Sequence, residues 1–336
     1  MWAIQNQTPY AAERSWIRDK TGAHHWVVAV KATFQIGPDG RTDLAPEQPA
    51  PLLAPEFFGE PGLSSVKYEA DVGPTKPTTD VLVLGNAHAP NGRPTTKLAV
   101  GMQVDETKKA VVVHGPRTYR RTTNGVTTSD PEPFVTCALR YEDAYGGSDL
   151  ADPDPRRQRI DPRNPVGKGL VADPSRLHGA PAHRIEYADG EPATRGPAGF
   201  GPLASYWSPR RELAGTYDDA WAKDKKPLLP DDYDERFVLS APADQRPPRW
   251  LVGGEQVSLF HMTPEDVLRF RLPRIFLTYS TRFGRKRQEH RGHLATVIVE
   301  VEERLLTLVW RTSLVVAPTR SEYLDETTID QKPYVR

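Results

Sequence analysis

The clearest period in the chain is two. Trp26, Val28, Val30, Ala32, Phe34 and Ile36 alternate with Val27, Ala29, Lys31, Thr33 and Gln35, which places the first set on one face of a β-strand. Turn chemistry brackets this strand. Asp19-Lys20-Thr21-Gly22 leads in and Gly37-Pro38-Asp39-Gly40 leads out, so a short hairpin arm is expected on each side. A second group of strands starts at 80–88 and continues over 97–105, where Leu98, Val100, Met102 and Val104 share a face; 109–115 pairs back. Regular signals return at 257–261, 267–272, 274–281 and 293–302. The last leads through Glu303-Arg304 into 305–312, with Leu306, Leu308 and Trp310 on one face, the pattern of an antiparallel hairpin. Residues 45–77 are irregular, with 64–69 a candidate edge strand. Helix evidence is confined to a turn or two over 218–226 and over 264–269.

Between the strand groups, residues 141–250 keep neither period for long. Aromatics recur there every ten to fifteen residues, more than a disordered tether carries. Fifteen prolines and ten glycines in the same stretch deny it long helices and central strands. The expected fold is mainly β: an antiparallel sandwich or partly closed barrel with a long Pro/Gly-rich irregular layer and little helix. Regular strands fall mainly in 24–115 and 257–316, the ordered irregular layer in 141–250. No Ser/Gly-rich or charged linker separates the two strand groups, so 1–336 is expected to form a single β-rich domain.

Composition then narrows the function. Lysine plus arginine equals aspartate plus glutamate at 44 each, so no net field favours a nucleic acid or an anionic membrane. The N-terminal residues lack a basic segment followed by an apolar run, and no window approaches the length of a spanning helix. A cytoplasmic location is expected. Cys137 is the only cysteine, which suits a reducing compartment and excludes a cysteine zinc cage.

Candidate chemistry is thin. Gly199-Phe200-Gly201 with Ala204 imitates a dinucleotide glycine signature, but it follows no strand and contains Pro202. His24 and His25 point to opposite faces of a strand, and His290 and His293 sit among arginines, so no metal site is expected. Asp231, Asp232, Asp234 and Glu235 lack the spacing of a calcium loop and read as a solvated turn. Glu142 and Asp143 invite a glycosidase reading, yet adjacent carboxylates point apart and no partner is identifiable. Cys137 reads as a buried small hydrophobe. No cofactor motif is present. Two features point to a partner protein. One is the aromatic segment with Trp207, Tyr217, Asp218, Trp221 and Tyr233, where Tyr217 and Trp221 fall at i and i+4 on one helical face. The other is the basic tip with Arg285 and Arg287. The competing class is a carbohydrate-active enzyme or carbohydrate-binding module acting on cell-envelope polysaccharide, with Trp207, Tyr217 and Trp221 as stacking platforms.

Several motifs occur together in order: residues 26–34, His88-Ala89-Pro90 with Gly92-Arg93-Pro94, residues 141–147, Asn164-Pro165-Val166-Gly167-Lys168-Gly169, Gly199-Phe200-Gly201-Pro202, Gly215-Thr216-Tyr217-Asp218 with Trp221, and Ala241-Pro242 with Asp244-Gln245. In this the chain resembles the bacterial domain-of-unknown-function family numbered twenty-one sixty-nine, encoded near type VI secretion effectors and spike components. The resemblance implies a non-enzymatic adaptor or chaperone. Its expected partners are a type VI effector protein and the PAAR-repeat or valine-glycine repeat proteins of the spike. It brings no catalytic residues. Lys168 stands where arginine is commoner in the family, and the basic tip and the tail after Ala317 are less typical.

Overall fold

The computed structural model describes residues 2–123 and 125–332, and they are predominantly strand. The largest sheet runs in the order Ala11–Arg18, His24–Ile36, Leu305–Val316, Gly292–Glu300 and Asp80–Leu84, with Thr42–Leu44 also pairing with His24–Ile36. The alternation around Trp26 decides its inner face. Trp26, Val28, Val30, Ala32, Phe34 and Ile36 all enter the main hydrophobic core, and Leu306, Leu308 and Trp310 join them from the neighbouring strand. The final hairpin forms as its pattern predicts, with Val297, Val299 and Val301 buried beside it.

On the other face of His24–Ile36, Val27, Ala29, Lys31 and Thr33 are buried too. The irregular stretch 45–77 lies over them. Lys31 Nζ meets Asp71 Oδ2 at 2.9 Å, and Arg311 Nε donates to the Asp71 carbonyl at 2.7 Å. Buried charges persist there because each has a partner.

The second sheet is ordered Ile185–Glu186, Thr107–His114, Lys97–Val104, Gln256–Phe260 and Val267–Arg271. Leu98, Val100, Met102 and Val104 face the core as one row. Because Lys97–Val104 pairs with Gln256–Phe260, and Asp80–Leu84 with Gly292–Glu300, strands from both ends of the chain build the same sheets. The third sheet is ordered Ala3–Asn6, Leu324–Lys332, Phe276–Phe283 and Lys286–His290. Most pairings are antiparallel. Three are parallel: Asp80–Leu84 with Gly292–Glu300, Ala3–Asn6 with Leu324–Lys332, and Tyr145–Gly146 with Lys168–Gly169.

Helix is short and sparse. The turn expected over 218–226 forms as Asp219–Asp224. The one expected over 264–269 does not. Asp266 adopts a left-handed backbone at φ 61°, and the His261 N–H donates to its carbonyl at 2.6 Å, which closes a hairpin into Val267–Arg271.

The layer over 141–250 is ordered through short 3-10 turns and two-residue bridges. Tyr141, Phe200 and Trp207 pin it into the main core. It also caps a sheet edge. The Phe200 carbonyl accepts from the Val83 N–H at 3.1 Å, and Gln245 Nε2 donates to the carbonyls of Val81 and Phe200 at 2.8 Å each. The outward groups of the Asp80–Leu84 strand are thus satisfied by loop rather than by water. Candidate edge strand 64–69 forms as Val66–Tyr68, paired with Glu56–Phe57.

Candidate functional site

The aromatic segment is held in a fixed shape by its polar residues. Gly215 has φ +85°, and a Cβ there would come within 2.8 Å of Pro230 Cβ, so the chain needs glycine to close the turn. Across that contact Asp232 accepts from the Thr216 N–H at 3.0 Å and from its hydroxyl at 2.7 Å. Asp218 then caps the short helix, its Oδ1 accepting from the Trp221 N–H at 2.8 Å. Trp221 Nε1 donates to the Leu228 carbonyl at 2.9 Å. The result sets the exposed Tyr217 ring against a half-buried Trp221. Tyr217 and Trp221 meet edge to face with centroids 4.7 Å apart, and Tyr217 is 53% exposed. Tyr233 lies half-buried against Phe237, and burial, helped by the nearby Glu235 charge, pushes its hydroxyl up to about 12.

Trp207 is a correction. It is fully buried, edge to face with Tyr141 at 5.6 Å, and belongs to the core rather than to any surface. The reason lies in its neighbours: 198–207 packs through Ala198, Phe200, Leu203 and Ala204, so the loop turns its apolar side inward as a unit. Arg285 and Arg287 are exposed, Arg285 in the turn between two strands of the third sheet and Arg287 on the second of them, opposite Arg282 in register.

Beside Tyr233 the layer and the largest sheet enclose a cavity of about 240 Å³, walled by Ile17, Leu229, Tyr233 and Val238 and floored by His25 and Ser313. A polar chain crosses that floor. Asp19 Oδ2 lies 3.0 Å from His25 Nε2, and His25 Nδ1 lies 2.8 Å from Ser313 Oγ. An ionised carboxylate only accepts, so in neutral His25 the proton sits on Nε2 and Nδ1 accepts from the Ser313 hydroxyl. Burial works against the ionised Asp19, but hydrogen bonds from Thr21, His25 and Ala23 outweigh it and hold its carboxyl at about 2. This connectivity imitates a nucleophile relay. Ser313, however, lies inside a ladder strand opposite Val27, not at a turn where free N–H groups gather into an oxyanion hole. The chain ties the 19–22 turn to Leu305–Val316, and so shapes the cavity. Nothing local in the sequence links His25 to Ser313.

The remaining candidates hold structural contacts. Glu142 Oε2 accepts from the Ser65 hydroxyl at 2.8 Å and Oε1 from the Ser65 N–H at 2.8 Å, while Asp143 pairs with Lys168 at 2.5 Å. Asp234 accepts from Arg236, and Asp231 pairs with Lys225. Cys137 is buried, which pushes its thiol up to about 11. No group of three histidine, cysteine or acidic side chains converges as a metal site among the described residues, and none of the described helices is long and apolar enough to cross a membrane.

No curated protein and no solved structure matches the chain. A family model described as an uncharacterized protein conserved in bacteria (DUF2169) matches residues 21–311, a span that holds the first strand group, the irregular layer with the aromatic segment, and all but the last few residues of the second strand group. By that match the chain belongs to the DUF2169 family.

Proposed function

We propose that the protein is a non-enzymatic adaptor or chaperone of the bacterial cytoplasm that stabilises a type VI secretion effector and helps load it onto the spike of valine-glycine repeat and PAAR-repeat proteins. The observation that carries this reading is the Tyr217 and Trp221 pair, an exposed ring just before a short helix against a half-buried ring on it, with the cap, turn and neighbouring loop all locked. An apolar ring left in water is a standing driving force for association. A rigid ring loses little conformational entropy when a partner covers it, and aromatic side chains carry much of the binding energy at protein interfaces. Tyr233 and the cavity beside it extend the same face with an apolar recess. Glu142 and Asp143, the acids that invite the carbohydrate reading, are here engaged by Ser65 and Lys168.

Tyr217→Ala and Trp221→Ala test the reading directly. Each is expected to weaken effector binding by about 2 kcal/mol or more, roughly a thirtyfold rise in Kd, with the melting temperature little changed. Titration of the purified effector, alongside thermal melts, is the measurement. Unaltered affinity in both variants would remove this surface from the interface.

A further inference from the structure

We propose that the outer edge of the Lys286–His290 strand takes up an acidic, extended segment of a partner protein as an added strand. The strand is the last in its sheet: Phe276–Phe283 pairs with one side of it, and no described strand pairs with the other. An open edge of this kind presents backbone donors and acceptors to any extended chain.

A groove lies beside that strand. A cavity of about 470 Å³ is lined by Phe283, Lys286, Arg287 and Gln288 from the sheet and by Thr319, Arg320 and Tyr323 from the segment that leads into Leu324–Lys332. Lys286 pairs with Phe283 in register and strand side chains alternate, so Phe283, Lys286 and Gln288 share one face, and the groove adjoins that face of the strand. Tyr323, 64% exposed, supplies an apolar wall.

Charge then selects the occupant. Arg285, Lys286, Arg287 and Arg291 are exposed, and no ion pair is found for any of them among the described residues. Their neighbour Arg282 differs, being held by Asp325 and Glu326. Cations alone would serve to keep a bare edge from aggregating. A basic edge that also faces a walled groove does more than repel copies of itself, because it is complementary to an extended acidic chain. The partner is taken as a protein because the adaptor reading supplies protein cargo, and the inference rests on that reading.

The probe is a short fluorescent peptide alternating glutamate with valine, titrated into the intact protein by anisotropy. Binding is expected, at least about tenfold weaker for the Lys286→Glu/Arg287→Glu double variant, as charge-assisted contacts are lost. Methylation of alternate peptide nitrogens is expected to weaken it similarly, and hydrogen exchange at 286–290 to slow in the complex. No binding, binding indifferent to charge reversal, or equal binding of the methylated peptide would overturn the proposal. So would equally tight binding of a single-stranded oligonucleotide of matched charge, which marks a general polyanion patch. Effector capture by the double variant separates the two readings. Undiminished capture removes the edge from the interface and leaves the adaptor reading standing, whereas a wild type that captures no effector ends the adaptor reading while the titration still decides the groove.

Discussion

Asp80 and Lys76 meet at 2.6 Å with neither side chain accessible, and Asp80 also accepts from the Ser240 N–H at 2.7 Å. Burial disfavours both charges. At Lys76 burial wins and lowers the pKa, whereas at Asp80 the Lys76 ammonium and the Ser240 N–H hold the carboxyl below its ordinary range against it. Asp80→Ala leaves the ammonium buried alone and should cost about 3–5 kcal/mol, read as a lower urea midpoint. An unchanged midpoint would show that the pair is not buried as described. His290 gives a second expectation at this scale. It lies between the hydroxyls of Thr281 and Thr312 at 2.8 Å and 2.6 Å, and burial lowers its pKa to about 4. An unfolded histidine binds its proton near 6.5 and the folded one only near 4, so acid favours the unfolded chain. Stability should be intact above about pH 6.5 and fall by roughly 3 kcal/mol as pH drops to about 4. His290→Asn should flatten that part of the profile; identical slopes for parent and variant would refute the assignment.

Among the elements, the final hairpin is the most exacting case. Trp310 is buried against Tyr10, ring centroids 6.4 Å apart, and Trp310→Ala should destabilise by about 3–5 kcal/mol. A variant that melts like the parent would mean that this ring is not part of the core. Strands with a strict apolar alternation, 26–36 and 297–310 above all, were legible in the sequence because burial on one face dictates that alternation. Leu324–Lys332 was not. Its inward positions are Leu324, Thr327 and Ile329, and a bulge between Arg282 and Phe283 breaks the period. Thr327 also hides its role, since a residue read as polar there accepts from the buried Trp26 Nε1 at 2.8 Å. Lys286–His290 read as a loop tip for a related reason. A basic edge strand has no apolar face to reveal a period.

At the scale of the whole molecule, three sheets share one core, and the irregular layer covers what the strands leave open. The short helix at 219–224 and Asp218 at its start were readable from spacing, although Tyr217 lies before the cap and reaches Trp221 from outside the helix. The recess beside it was not, because Asp19, His25 and Ser313 lie on separate elements and meet only when the terminal strand groups pair. Trp207 misled for the opposite reason: an aromatic in a Pro/Gly-rich loop has the same composition whether it faces solvent or core. The central claim is that the Tyr217 and Trp221 pair holds an effector. Its most direct test is recovery of the tagged protein from the native cell, wild type beside the Tyr217→Ala/Trp221→Ala double variant, with bound proteins quantified by mass spectrometry. The account predicts that the wild type retains a type VI effector and that the double variant, equally folded by thermal melt, loses it. Full retention by the double variant, or a wild type that carries no effector at all, would contradict it.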